Sequence, residues 1–247
     1  MERLRNWIEI DGKSSSCFGL KMDRLPLWTT AAETVENTAL PGVPVGMDRH
    51  TGQYKDFDLT LTGYLTRPPH NHDLAALNDW IQNGKHLVMS TQPHIYGVIR
   101  KAGQISPKRI GTRANEVQIP FTFQPFKYTK MNRPIEFDTS PAYYRLWGNV
   151  YAEPIYRLTI EEGSVITVFT VNGINLQILS LALDTEIVVI DLPRKKIYKE
   201  AANGDLIIVQ EHTSGAFWEM VLHPGENTIS WLSGISKVEV TVNERWL

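Results

Sequence analysis

Apolar and polar residues alternate with a period of two through most of this chain. Phe57, Leu59 and Leu61 alternate with Asp58, Thr60 and Thr62, so one face of that strand meets a core and the other meets water or a partner. The same alternation covers Val165, Thr167, Phe169 and Val171, the run from Ile187 to Ile190, and Val238, Val240 and Val242 with Glu239, Thr241 and Asn243 opposite. Residues 195–201 and 205–211 flank Asn203-Gly204, a pair that accepts positive φ at both positions and predicts a hairpin. Antiparallel sheet is therefore the main element.

One helix breaks this pattern. Leu74, Leu77 and Ile81 recur at i, i+3 and i+7, Trp80 widens the stripe, Asp73 is placed to cap the start, and Gly84 supplies the stop. A single helix of about eleven residues among strands makes the first half α+β. The Pro and Gly punctuation of residues 39–52 predicts a long exposed loop. Residues 127–149 show no clean period and contain Pro134 and Pro141, which predicts a connector. Beyond it, about a hundred residues of short strands with turn signals every eight to twelve residues predict a β-sandwich. The domains read from this organisation are 1–133 and 134–247.

Composition narrows the classes further. The 247 residues are 42% hydrophobic and 21% charged, ordinary for a folded globular protein, and seven Trp suit a strand-rich chain. A net charge of −2 carries no basic footprint for nucleic acid. That charge is uneven: residues 1–148 carry +4 and residues 149–247 carry −6. The opening MERLRNWIEIDG has no apolar core of a signal peptide, and no run of 18 apolar residues exists for a membrane helix, so synthesis in a cytoplasm-like compartment is expected.

Each candidate for chemistry has a plainer reading beside it. The single Cys17 has no internal disulfide partner and is expected to be a small buried hydrophobe. His70-Asn71-His72-Asp73 has His-x-His spacing for a metal, but no third ligand at recognisable spacing, and a helix start explains the polar run. Asp56 and Asp58, two apart on one strand, have the arrangement of paired glycosidase carboxylates, against the polar face of an amphipathic strand. Glu161 and Glu162 precede Gly163 in a turn, and Ser14, Ser15 and Ser16 follow Gly12 in another. Trp218 and Trp231 are aromatics that a sandwich can use to stack on sugar rings, against a role in the core or an interface. No phosphate-binding glycine loop, nucleophile elbow or zinc-protease helix motif is found. The catalytic, cofactor and metal residue sets are therefore empty, and no cofactor is expected.

The order of these segments resembles the distal tail (Dit) protein family of long-tailed, noncontractile bacteriophages and prophages. WIEIDGKSSSCFGLKMDRLPL (7–27) looks like the family's opening strand, turn and Phe-Gly-Leu. ALPGVPVGMDRHTGQYKDFDLTLTGYL (39–65) is similar to its Pro-Gly loop, Gly-turn and long strand. LNDWIQNGKHLVMSTQPHIYGVI (77–99) resembles its helix, glycine and strand, and VQIPFTFQPFKY (117–128) its closing strand. In the second half NVYAEPIYRLTI, IVVIDLPRKKIY and HPGENTISWLSG resemble the C-terminal galectin-like sandwich. Trp147-Gly148-Asn149 and Trp218 depart from the family's usual residues.

The resemblance implies a mainly β fold: a β-barrel-like, ring-forming domain with one helix over 1–133, then a galectin-like β-sandwich over 134–247. It implies a structural, non-enzymatic part of a phage tail tip or baseplate. There a homohexameric ring joins the tail tube protein to the tail-associated lysin or tail fibre protein, neighbours the tape measure protein, and anchors receptor-binding or baseplate proteins. Its location is the virion tail tip after assembly in the host cytoplasm, with neither sequence-specific nucleic acid nor membrane as partner. The alternative is a carbohydrate-binding adhesin that recognises host cell-wall polysaccharide.

Overall fold

The computed structural model describes residues 6–38, 47–65, 71–110, 114–179, 187–200 and 205–247. Two compact units divide it, Met1–Lys130 and Met131–Trp246.

The first unit holds β1 (Ile8–Ile10), β2 (Lys13–Ser14), β3 (Leu20–Met22), β4 (Glu33–Thr38), β5 (Met47–Tyr54), β6 (Phe57–Leu65), α1 (Asn71–Gln82), β7 (His86–Met89), β8 (Gln92–Ala102), β9 (Ser106–Ile110) and β10 (Ala114–Thr129). A curled half-barrel sheet runs in the order β2-β1-β7-β8-β10-β6-β3. The 16-residue β10 is its spine: residues 115–123 pair with β6 on one side, while β8 and β9 share the other. Its inward positions Val117, Ile119, Phe121 and Phe123 are all 1% exposed or less. Helix α1 adds Leu77 and Ile81 to that core, with Leu74 and Trp80 packed beside them, so the i, i+3, i+7 stripe faces the sheet as the sequence predicts. The helix begins at Asn71, two residues before the predicted cap Asp73, which lies in its first turn. There its carboxylate still opposes the positive end of the helix dipole. Past the helix, a Cβ on Gly84 would meet the Ile10 side chain at 2.2 Å, so the chain passes β1 closely only because the side chain is absent.

β4 and β5 form a separate two-stranded ribbon. This corrects part of the predicted loop: residues 47–52 are strand, and the rest of that loop lies outside the described residues. Val35, Glu36, Asn37, Arg49 and Gln53 are exposed, so the ribbon has little buried face to write a period into its sequence.

The second unit holds β11 (Ile135–Phe137), β12 (Ala142–Leu146), β13 (Ile155–Ile160), β14 (Thr167–Val171), β15 (Ile174–Ile178), β16 (Ile187–Asp191), β17 (Lys196–Glu200), β18 (Leu206–Ile208), β19 (Thr213–Ser214), β20 (Gly225–Trp231) and β21 (Ile235–Thr241). They make a six-stranded sheet, β11-β21-β13-β16-β17-β18, and a five-stranded sheet, β12-β20-β14-β15-β19. One core joins the two: Tyr156, Leu158, Ile190 and Val240 come from the first sheet, and Phe169, Leu176 and Ile229 from the second. Tyr156 packs edge-on against Phe169 with ring centroids 5.1 Å apart, and its hydroxyl donates to the Met220 carbonyl at 2.8 Å.

β17 and β18 pair as the hairpin read from residues 195–211, and its turn, Asn203-Gly204, lies outside the described residues. The predicted connector 127–149 is corrected: it contains the end of β10 together with β11 and β12. Three-residue β11 is too short to show a period. In β12, Tyr143 and Tyr144 place aromatics on both faces and hide the inward set of Ala142, Tyr144 and Leu146.

Candidate functional surfaces

The residues singled out for chemistry are scattered over the surface with local partners. Asp56 Oδ2 accepts from Arg100 Nε at 3.2 Å, and Asp58 Oδ1 accepts from Thr122 Oγ1 at 2.6 Å; both bonds are exposed. The two carboxylates thus serve different neighbours on a strand face. Glu161 and Glu162 are exposed in their turn, whose Ser164 N–H donates to the Glu161 carbonyl at 3.3 Å. His70 lies outside the described residues, as do the side chains of Asn71 and His72. Among the described residues no three His, Cys, Asp or Glu gather as a metal site.

Cys17 is exposed, which corrects the expected burial. The segment Ser15–Phe18 winds into a 3-10 turn, and Ser15 takes the buried place; its Oγ accepts from the Ile8 N–H at 3.4 Å. Ser14 Oγ caps that turn by accepting from the Ser16 N–H at 3.3 Å, and Gly19 ends it at φ 64°. The serine run is turn chemistry.

The two Trp candidates part company. Trp218 is 54% exposed, edge-on to Phe217 at 5.5 Å. Trp231 packs partly buried against the sandwich core. Two exposed aromatics not singled out for sugar stacking are Tyr143 at 71% and Trp147 at 70%. Both belong to the stretch read as a connector, where nothing in the sequence distinguishes a surface ring from a buried one.

A buried cation is the largest surprise. Lys127 is 3% exposed, at an inward position of β10 beyond Phe121 and Phe123, next to a break in the β8 register. Its Nζ donates to the Thr29 carbonyl at 2.8 Å and lies 5.5 Å from the Phe57 ring centroid. Burial pulls its pKa down to about 8. The acceptor belongs to residues 23–32, a strap without regular structure that is fastened mainly by side chains. Trp28 N–H donates to Gln92 Oε1 at 3.3 Å, and Thr91 Oγ1 donates to the Pro26 carbonyl at 3.3 Å. The Trp28 indole wedges against Phe123 and Phe57, with centroids 5.1 and 6.4 Å away, and against Gly97, where a Cβ would stand 2.6 Å from the ring. Its Nε1 is buried without a hydrogen-bond partner. The strap leads directly into the β4–β5 ribbon. A sequence signal for Lys127 did exist, a lysine in the inward phase of an apolar alternation; Trp28 had none.

The outer faces of the sandwich differ in charge. On the six-stranded sheet, Lys237 bonds Glu136 and Glu239 at 3.0 and 2.9 Å, and Arg157 bonds Glu200 at 2.5 Å. Those hydrogen bonds, to Glu239 first and then to Glu136, raise the Lys237 pKa. On the five-stranded sheet the outward positions of the central strands are Val168 and Thr170, Asn175 and Gln177, and Glu226, Thr228 and Ser230.

No family model and no curated protein matches the sequence. Among solved structures the chain is similar to SPP1 Dit (gp 19.1), described as a paradigm of the hub adsorption apparatus in phages that infect Gram-positive bacteria. The TM-score is 0.73, with 12% identity, over 98% of this chain and 99% of that one.

Proposed function

We propose that this chain, whose fold is that of SPP1 Dit, is a structural hub protein of a phage tail tip, located at the distal end of the virion tail. The observation that carries this reading is the fold match across both units, with nearly every residue of each chain included. The ring, the partners and the place in the particle form the finer part of the proposal. Six copies close a ring through the first unit. That ring joins the tail tube protein to the tail-associated lysin or fibre protein, neighbours the tape measure protein, and carries receptor-binding or baseplate proteins on the second unit. Residues 1–133 are the ring-forming domain and 134–247 the galectin-like domain of this proposal.

Two features of the first unit support ring closure. The half-barrel sheet ends in the short strands β2 and β3, whose outer edges pair with no other described strand. The β4–β5 ribbon is likewise two strands paired only with each other among the described residues. An isolated ribbon is marginal in water, and free edges are liabilities that an assembly covers. The role is a scaffold, so activity resides in assembly and not in catalysis.

Light scattering after size exclusion, with negative-stain images of the same peak, tests the proposal. The expected result is a mass six times that of the 28.1 kDa chain and six-fold rings with a central hole. A chain that stays monomeric alone and in the presence of recombinant tail-tube and tail-lysin proteins overturns it.

A further inference from the structure

The outward face of the five-stranded sheet ends in an aliphatic cluster. In the register, Phe169 of β14 stands opposite Trp231 of β20, and Thr167 of β14 opposite Ile178 of β15. Phe169, Thr167 and Ile178 are buried and Trp231 packs on the core, so these four side chains turn inward. Their chain neighbours turn outward: Val168 beside Leu232, and Ile166 beside Leu179. The Leu232 N–H donates to the Val168 carbonyl at 3.1 Å, and the Leu179 N–H donates to the His212 carbonyl at 2.9 Å, which holds the two leucines against the sheet. Leu232 is 63% exposed, Ile166 58% and Leu179 42%, with Val168 half-buried among them. The cluster spans three strands, about 10 Å across, and about 7 Å along β14.

Its surroundings are acidic. Residues 158–193 and 200–236 contain no Lys or Arg, and they supply β14, β15, β19 and β20. Glu161 and Glu162 are exposed in the turn before β14, and the Glu161 N–H donates to the Gly234 carbonyl at 3.0 Å, two residues past Leu232. Glu211 is exposed and precedes His212, the residue that holds Leu179. The one basic residue in the strands of this sheet is Arg145 of β12. It stands opposite Glu226, six residues before Leu232 and so about 20 Å away along the sheet.

We propose that this cluster docks an amphipathic helix of another protein, with the helix's apolar stripe on Ile166, Val168, Leu179 and Leu232 and its Lys or Arg side chains toward Glu161, Glu162 and Glu211. Charge complementarity selects this occupant. An acidic rim attracts a basic flank, whereas a second copy brings residues 149–247, with their −6, against the same charge. Size points the same way. Four side chains cover far less than the about 800 Å² per partner of a standard subunit interface, and a width of about 10 Å is that of one helix. A helix meets such a cluster with residues at i, i+3, i+4 and i+7. The inference deepens the proposal that the second unit carries other tail proteins, and rests on it for the source of the helix. The docking itself needs only the folded second unit, so its failure leaves the ring standing, and a failed ring leaves the docking standing.

Fluorescence anisotropy on the full chain tests it, with a labelled peptide of two Leu-Lys-Lys-Leu-Leu-Lys-Leu repeats as the probe. Binding is expected with a dissociation constant on the order of 10 μM at about 0.1 M salt. The counterpart with Glu at every Lys keeps the apolar stripe and is expected not to bind. Leu232→Ser is expected to weaken binding of the basic peptide about tenfold, and the Ile166→Ser/Leu232→Ser pair to abolish it. Glu161→Gln/Glu162→Gln is expected to weaken it about threefold. All four side chains are exposed, so circular dichroism of these variants is expected to match that of the parent. Glu136→Gln, on the opposite sheet, is expected to leave binding unchanged. Three results overturn the proposal: no binding of the basic peptide, equal binding of the acidic one, or binding that survives the Ile166→Ser/Leu232→Ser pair, which marks attraction by charge alone.

Discussion

The two units bury polar groups in different ways. In the first, Lys127 enters the core with a single protein acceptor, the Thr29 carbonyl, and with an aromatic ring nearby. In the second, Asn227, 1% exposed, sits at the centre of a saturated knot. Its Oδ1 accepts from His223 N–H and Asn172 Nδ2, both at 2.8 Å, and its Nδ2 reaches the His223 and Gly225 carbonyls at 2.7 and 3.0 Å. The difference is one of cost. A neutral amide with its bonds filled fixes the turn before β20 at little penalty, whereas a desolvated ammonium with one bond holds the strap while opposing the fold around it. The second unit fills the bonds of its buried amide; the first keeps a buried ammonium on a single bond, at the root of its exposed ribbon.

Core truncation gives the largest effect. Tyr156→Ala removes a ring packed on Phe169 and strands the Met220 carbonyl, and is expected to destabilise the second unit by about 4 kcal/mol. Hydrogen exchange should accelerate across residues 131–246 while the sheet of residues 6–130 keeps its protection. Next in size, Asn227→Ala opens the knot and leaves buried backbone groups unpaired. A loss of about 2 kcal/mol in urea unfolding is expected.

Lys127→Met carries the opposite sign, with the first unit expected to gain on the order of 1 kcal/mol. The wild-type pH profile follows from the same residue. Lysine in the unfolded chain titrates at 10.5 and in the folded unit at about 8. Below about 8 both states hold the proton and the full cost of burying charge is present. Between the two values only the unfolded state holds it, so stability rises with pH through that window. Urea midpoints of the first unit should therefore increase from about pH 7 to about pH 9.5, and Lys127→Met should remove this rise. The smallest effect belongs to Arg157→Ala, which breaks a partly exposed ion-pair network. It is expected to cost less than about 0.5 kcal/mol at moderate salt, read as a shift in thermal midpoint of the second unit.

Much of the fold was legible because alternation is a local signal. Phe57 to Leu65, Thr167 to Val171 and Val238 to Val242 carry their burial in their spacing, and α1 carries its stripe. Of the ribbon, residues 47–52 read as loop because strands wetted on both faces have no apolar phase. β11 and β12 were missed because three residues, or adjacent tyrosines, blur the period. Cys17 was misjudged because its burial depends on which residue of the 3-10 turn points inward, and Ser15 does.

By itself the sequence determined the secondary-structure class, the helix, the sandwich-like second half and the uneven charge, since polarity and turn chemistry act within a few residues. Only the tertiary structure decided which polar groups are left unpaired and where. Lys127 meets Thr29 across 98 positions of chain, and Tyr143 reaches Thr228 across a strand pairing far apart in sequence. Such contacts are set by how sheets register and curl, where one residue of slip exchanges the faces, so the buried cation and the separate ribbon emerge only once the strands have paired.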